Sequence, residues 1–221
     1  MTAETQTRGR GRLGRTWVSP PRSGLYLSVL LRPNLPASTA QSLTFLGAVA
    51  MARALQRSCR LAVRLKWPND LLADGLKLGG VLTECGVARG VIRSAVVGIG
   101  VNVNLSEARL PEALRGIATS VSARRGRRVS RARLLEAFVV EMDRRYAALK
   151  AEGPAALLAE ARALIGMAGR IVRVALGDRV VEGSVRGLDE EGALLLRLPS
   201  GAVQRVVAWD VTSLEAPYNT A

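Results

Sequence analysis

The chain has 221 residues, 48% hydrophobic and 23% charged, which is enough apolar content for a real core and too much for a disordered segment. Its formal net charge is +14 and it contains no histidine, which excludes a Ser-His-Asp triad, a Cys-His dyad, an HExxH zinc site and histidine as a general base. Lys66, Lys77 and Lys150 are the whole lysine complement, so the positive charge is arginine scattered through an Ala/Gly/Leu/Val-rich chain; it reads as compositional bias rather than a nucleic-acid footprint.

Met1 to Arg12 is polar and basic without an apolar run, unlike a secretory signal. The stretch Leu43 to Ala52 is too short to span a bilayer, so no membrane association is expected and the setting is read as cytoplasmic. Cys59 and Cys85 lack metal-ligand spacing and read as reduced, buried thiols.

In chain order, residues 1–24 are rich in Gly, Arg and Pro and predict a long loop. Leu25 to Arg32 alternates as a strand, and Thr39 to Arg57 has helical spacing with Ser38 or Thr39 as N-cap. Leu61 to Lys66 predicts a short strand closed by Trp67-Pro68-Asn69-Asp70. Leu71 to Leu78 carries the hairpin signal Asp74-Gly75, and Val81 to Val87 with Ile92 to Val103 completes an antiparallel meander. Ser130 to Lys150 and Pro154 to Ile165 predict helices meeting at Glu152-Gly153. Beyond Gly166 five short strands are expected: Arg170–Ala175, Val180–Leu188, Ala193–Leu198, Ala202–Val207 and Val211–Leu214. The pairs Gly177-Asp178, Glu191-Gly192 and Ser200-Gly201 mark turns between them, which is the pattern of a small β-barrel following a mixed α+β domain.

Gly9-Arg10-Gly11-Arg12-Leu13-Gly14 fits the dinucleotide pattern G-x-G-x-x-G, but polar residues precede it and Pro20-Pro21 follows, where that motif needs a strand and a helix. What the segment does offer is Arg8, Arg10, Arg12 and Arg15 interleaved with glycines. Forked guanidinium donors beside a closely approachable backbone suit carboxylate or phosphate. On composition alone an RGG-like nucleic-acid tail fits equally well.

Four ordered segments resolve that ambiguity. Gln6 with Gly9-Arg10-Gly11-Arg12, Gly14-Arg15, Trp17, Ser19-Pro20 and Gly24-Leu25-Tyr26 resembles the substrate loop and following strand of biotin protein ligases. Lys66-Trp67-Pro68-Asn69-Asp70, Lys77-Leu78-Gly79-Gly80-Val81-Leu82-Thr83-Glu84 and Gly98-Ile99-Gly100-Val101-Asn102-Val103-Asn104 resemble three further signatures of that family, in the same order and spacing.

The resemblance implies an α+β fold: a mixed, largely antiparallel sheet with flanking helices over 1–151, a connecting helix over 152–166, and a small SH3-like β-barrel over 167–217. It implies ATP-dependent formation of biotinyl-5′-AMP and transfer of biotin to a lysine of a biotin carboxyl carrier protein, of acetyl-CoA carboxylase or a related carboxylase. Biotin, ATP and Mg²⁺ are the expected small molecules, with no dedicated protein metal site, and the protein is expected to be a monomer or weak homodimer.

By the same resemblance, Gln6, Gly9, Arg10, Gly11, Arg12 and Arg15 surround biotin and its adenylate, with Arg12 also catalytic. Lys77 stabilises charge on carboxylate and α-phosphate. Asp70 orients or deprotonates the acceptor amine, or caps a turn. Trp17 and Trp67 wall the pocket or belong to the core, and Asn102 faces the ATP phosphates or is a satisfied strand-end amide. No role is assigned to Glu84 or Glu141.

The family also has a strand, a helix and a Ser-Thr-Asn motif ahead of the loop, which this sequence lacks; a missing N-terminal segment is the expectation, with an inactive remnant as the alternative. A lipoate or octanoyl ligase, and a basic nucleic-acid-binding protein, are the competing functions.

Overall fold

In the computed structural model, residues 1–176, 179–207 and 210–213 are described. They form two antiparallel sheets, a larger one carrying four helices and a smaller C-terminal one, around a continuous apolar core. The first sheet opens with β1 (Thr2–Ala3) and β2 (Gly24–Leu31), then β3 (Leu35–Pro36). Helix α1 (Ala40–Cys59) follows, and then β4 (Arg64–Lys66), β5 (Asp70–Ala73), β6 (Leu76–Ala88) and β7 (Val91–Asn102). The strand order is β1-β2-β7-β6-β5-β4, with β3 also on β7.

The central strands obey the period of two that buries one face of a pleated ribbon. Along β7, Ala95, Val97, Ile99 and Val101 are buried toward α1, while Val96, Gly98, Gly100 and Asn102 occupy the opposite face. Helix α1 is buried almost all round from Ser42 to Ala52, because it lies between the sheet and helices α3 (Arg131–Glu152) and α4 (Ala155–Leu164). Ser130 caps α3 by accepting from the Arg133 amide, and Gly153 ends it at φ 80. A short helix α2 (Val121–Arg125) is capped the same way by Ser120.

The C-terminal sheet contains β8 (Ile171–Leu176), β9 (Arg179–Leu188), β10 (Leu194–Arg197), β11 (Val203–Val206) and β12 (Asp210–Ser213) in the order β11-β10-β9-β8-β12; this is the SH3-like module. Val172, Val174, Leu188, Leu194 and Leu196 join its core to that of the larger unit. None of the described helices is long and apolar enough to cross a membrane.

Several expectations need correction. Residues 1–24 are not all loop: Thr2 and Ala3 pair with Leu27 and Tyr26, and a 3₁₀ turn spans Arg12–Gly14. Leu71–Leu78 and Val81–Val87 are not separate strands; the hairpin at Asp74-Gly75 feeds one thirteen-residue β6, because Gly79 and Gly80 pair on both sides within the sheet. The strand before Trp67 starts at Arg64, not Leu61. Thr39 stands at the N-cap position of α1, but a 3₁₀ turn over Ala37–Thr39 runs straight into the helix and its hydroxyl donates to the Pro36 carbonyl instead. Residues 104–129, unassigned from sequence, hold 3₁₀ turns and α2. Gly177-Asp178, Leu214 and the boundary at 217 lie outside the described residues.

Candidate functional site

The Arg loop is a tight, self-bonded turn. The Gly11 amide donates to the Arg15 carbonyl (2.7 Å), the Arg15 amide to Arg12 (3.1 Å), and the Trp17 amide to Gly9 (2.9 Å). The reversal needs positive φ at Leu13 (54°) and Gly14 (73°); glycine adopts this freely, whereas leucine there is strained. The loop folds back over the polar-side face of β7. There the Trp17 indole lies so close to Gly100 that a Cβ at that position would come within 2.7 Å of the ring. The alternation in Gly98-Ile99-Gly100-Val101-Asn102 therefore has two uses. Its odd members fill the core, and its glycines leave a floor on which an aromatic wall can rest.

Beneath the loop is a cavity of about 660 Å³, in the range of small-molecule sites. Gln6, Arg10, Gly11, Arg12, Arg15, Trp17, Asp70, Lys77 and Asn102 all line it. Gly9 does not. It is buried under the loop so close to the Trp17 carbonyl that a side chain there would collide with it. Six Arg or Lys side chains face two carboxylates around the walls, a balance suited to an anionic ligand.

A β-bulge places Lys77 in this cavity. Across β5 and β6, Asp70 pairs with Gly80 and Leu71 with Gly79, but Leu72 pairs with Lys77, leaving Leu78 as the extra residue. The bulge inverts the alternation, so Lys77 shares the face of Asp70 and Gly80 while Leu78 is wholly buried. Lys77 Nζ then reaches Asp70 Oδ1 at 2.7 Å. Its backbone is held by Ile117 and Thr119 through bonds of 2.8 and 2.9 Å. Asn69 braces the same corner: its side-chain amide donates to the Val81 carbonyl (2.9 Å) and its carbonyl accepts from the Val81 amide (2.9 Å).

The remaining expected residues divide. Trp67 is buried in the core and donates Nε1–H to the Gly192 carbonyl (3.0 Å), tying the larger unit to the C-terminal sheet, and it also lines the cavity, so both of its readings have support. Asn102 is buried, its amide nitrogen donating to the Thr119 carbonyl (3.0 Å), and it also lines the cavity. Cys59 is buried as expected, whereas Cys85 is only partly so; burial still pushes its thiol up.

Sequence reasoning missed three features. Glu84 on β6 bonds Arg10 Nη2 at 2.8 Å. Leu105, Leu110, Leu114 and Ala118 form a satellite apolar cluster that walls the far end of the cavity. Glu141 is the centre of a buried ionic cluster away from the cavity, with Arg57 at 2.5 Å and Arg145 in direct contact, and Arg145 also bonds Glu160 (2.7 Å). The Glu141–Arg145 contact is an i,i+4 pair within α3 that sequence spacing could have registered, whereas the Arg10–Glu84 and Arg57–Glu141 partnerships join distant segments.

Residues 1–102 match the Biotin/lipoate A/B protein ligase family, and residues 168–211 match the Biotin protein ligase C terminal domain. The bifunctional ligase/repressor BirA of Bacillus subtilis is 35% identical over 213 residues, covering 96% of this chain; the chain spans 65% of that relative's length, slightly under two thirds. The biotin--[acetyl-CoA-carboxylase] ligase of Paracoccus denitrificans is 34% identical over 205 residues, covering 91% of this chain and 85% of the relative. Among solved structures, the biotin protein ligase of Aquifex aeolicus in complex with biotin and ATP superposes with a TM-score of 0.82 at 28% identity, covering 97% of this chain and 88% of that one. With both parts of the chain matched in order, and a relative of this identity covered over most of its length, the chain belongs to the biotin protein ligase family.

Proposed function

We propose that this chain is an ATP-dependent biotin ligase that forms biotinyl-5′-AMP and passes the biotinyl group to a carrier-protein lysine. The observation that carries the reading is the Lys77–Asp70 pair, brought to one face by the bulge under an arginine-lined loop. Relatives named for biotin ligation, and a similar structure holding biotin and ATP, support the choice of substrates.

In the first step the biotin carboxylate attacks the ATP α-phosphorus and pyrophosphate leaves. Carboxylate and phosphate repel each other, so the barrier is largely electrostatic, and fixed cations in a water-poor cavity lower it. Lys77 takes that part, with Arg12 and Arg15 on the loop above. Trp17, resting on Gly100, forms the apolar wall for the biotin rings, with Gln6 and Gly11 as polar neighbours. The apolar wall of Leu105, Leu110 and Leu114 suits the adenine base.

In the second step a lysine amine attacks the acyl carbon and AMP leaves. An arriving α-phosphate competes with Asp70 for the Lys77 ammonium, which frees the Asp70 carboxylate to accept a proton from the amine. Bound Mg²⁺ would be held by the ATP phosphates and water rather than by a dedicated protein site, and would supply further charge neutralisation there. The carrier is the biotin-accepting domain of acetyl-CoA carboxylase or a related carboxylase, a reading supported by the name of the Paracoccus denitrificans relative. The need for ATP favours the cytoplasm.

The test is biotin-dependent exchange of pyrophosphate into ATP. Exchange supported by biotin and not by lipoate is expected; exchange with lipoate alone, or none with either, would reject the proposal.

A further inference from the structure

Glu84 is the one carboxylate besides Asp70 that lines the cavity among the described residues, and the reaction above leaves it without work. It sits on β6, on the same face as Gly80, and meets Arg10 Nη2 at 2.8 Å. The two side chains remain 68% and 48% exposed, so the pair is at the rim and not in the interior. The Arg10 guanidinium is thus turned outward onto the sheet, although its backbone stays in the turn that roofs the cavity.

The tether joins two different kinds of element. Its Glu84 end is on a long strand, paired there with Val96 in the ten-residue ladder to β7. Its Arg10 end is on a turn held mainly by its own backbone bonds and by the isolated bridge between Arg10 and Thr16. A charge pair across such a junction shifts the equilibrium between the closed and the lifted loop without touching the reacting atoms.

We propose that Glu84 is a positioning residue: an electrostatic latch that holds the Arg loop closed over the cavity and sets how long an acyl-adenylate is retained. This rests on the ligase reading for the identity of the retained ligand, but not for the latch itself. An exposed pair of this kind has a modest effect, about two- to fivefold in the open population, and that effect fades as salt screens it.

The test compares the parent with Glu84→Gln in limited trypsin digestion, following cleavage after Arg8, Arg10, Arg12 and Arg15 by mass spectrometry. Cleavage of the variant should be about two- to fivefold faster at low ionic strength. The parent should approach the variant as salt rises, while the variant changes little. Equal cleavage at low salt, or a parent rate indifferent to salt, would overturn the latch; the salt response of the parent alone suffices if the variant folds poorly. In parallel, release of biotinyl-adenylate should be faster from the variant by a similar factor, with adenylate formation changed less. Altered cleavage in a chain that shows no biotin-dependent exchange would keep the latch and reject the ligase reading. Exchange with unchanged cleavage and release would do the reverse.

Discussion

At the residue scale, the site depends on side chains whose neighbours permit no substitute. Lys77 is the clearest case, since the bulge at Leu78 delivers one side chain to the face of Asp70. Lys77→Ala removes the cation aimed at developing charge, and the rate of biotin-dependent pyrophosphate exchange should fall by about 10²- to 10³-fold. A fall of less than tenfold would disprove the assigned role. Gly100 is the opposite case, essential for what it lacks. In Gly100→Ala the new methyl meets the Trp17 ring at 2.7–2.9 Å, so the indole must leave the sheet. Overpacking of this type costs about 1–3 kcal/mol, to be read from urea denaturation, and biotin affinity should fall with it.

At the element scale, α1, α3 and α4 are joined by more than apolar packing. Glu141 on α3 and Glu160 on α4 hold Arg145, which is 5% exposed, while Arg57 and Arg53 reach in from α1. Burial would raise both carboxyls, but hydrogen bonds from Arg57 and Arg145 to Glu141, and from Arg145 and Arg53 to Glu160, outweigh it and hold both below the ordinary 4.5. A carboxyl depressed in the folded state stabilises above its unfolded value, and that contribution is lost as pH falls through the folded one. The helical layer should therefore be stable at neutral pH and weaken below about pH 4.5, with Glu141→Gln flattening the acid limb of a stability–pH curve. At neutral pH, Glu141→Gln leaves the Arg145 charge short of a partner in a buried position, and a loss of about 3–5 kcal/mol is expected in chemical denaturation. A loss under 1 kcal/mol would mean that Glu160 alone satisfies Arg145.

At the scale of the whole molecule, the two sheets share one core and are pinned where the Trp67 indole donates to the Gly192 carbonyl. Gly192 stands at φ 85 and packs on Phe45 and Leu158, so the turn between β9 and β10 fits onto α1 and α4. Trp67→Phe preserves most of the ring but strands a buried carbonyl, for a cost of about 1–3 kcal/mol. Because the bond crosses between the two units, the variant should unfold with the C-terminal sheet losing protection first in hydrogen exchange. Uniform loss across the chain would argue that the shared apolar core, not this bond, couples them.

What the sequence determined by itself was the set of parts. The helical spacing from Thr39 to Arg57, the alternation along β7, the five short C-terminal strands and four motifs in fixed order were all readable, because each depends on neighbours close along the chain. Placement needed the tertiary structure. The bulge that turns Lys77 toward Asp70 is invisible in a sequence where strict alternation would send that side chain into the core. Glu84 acquires its Arg10 partner, and Glu141 its Arg57 partner, only when residues 74 and 84 positions away are folded against them, although Glu141 also has Arg145 one turn along its own helix. The wall over 105–118 has weak periodicity and forms because Leu105, Leu110 and Leu114 cover one another beside the strand that carries Lys77. Local patterns fix which elements form, whereas long-range pairing and register decide which side chains meet, and the chemistry of this site depends on the latter.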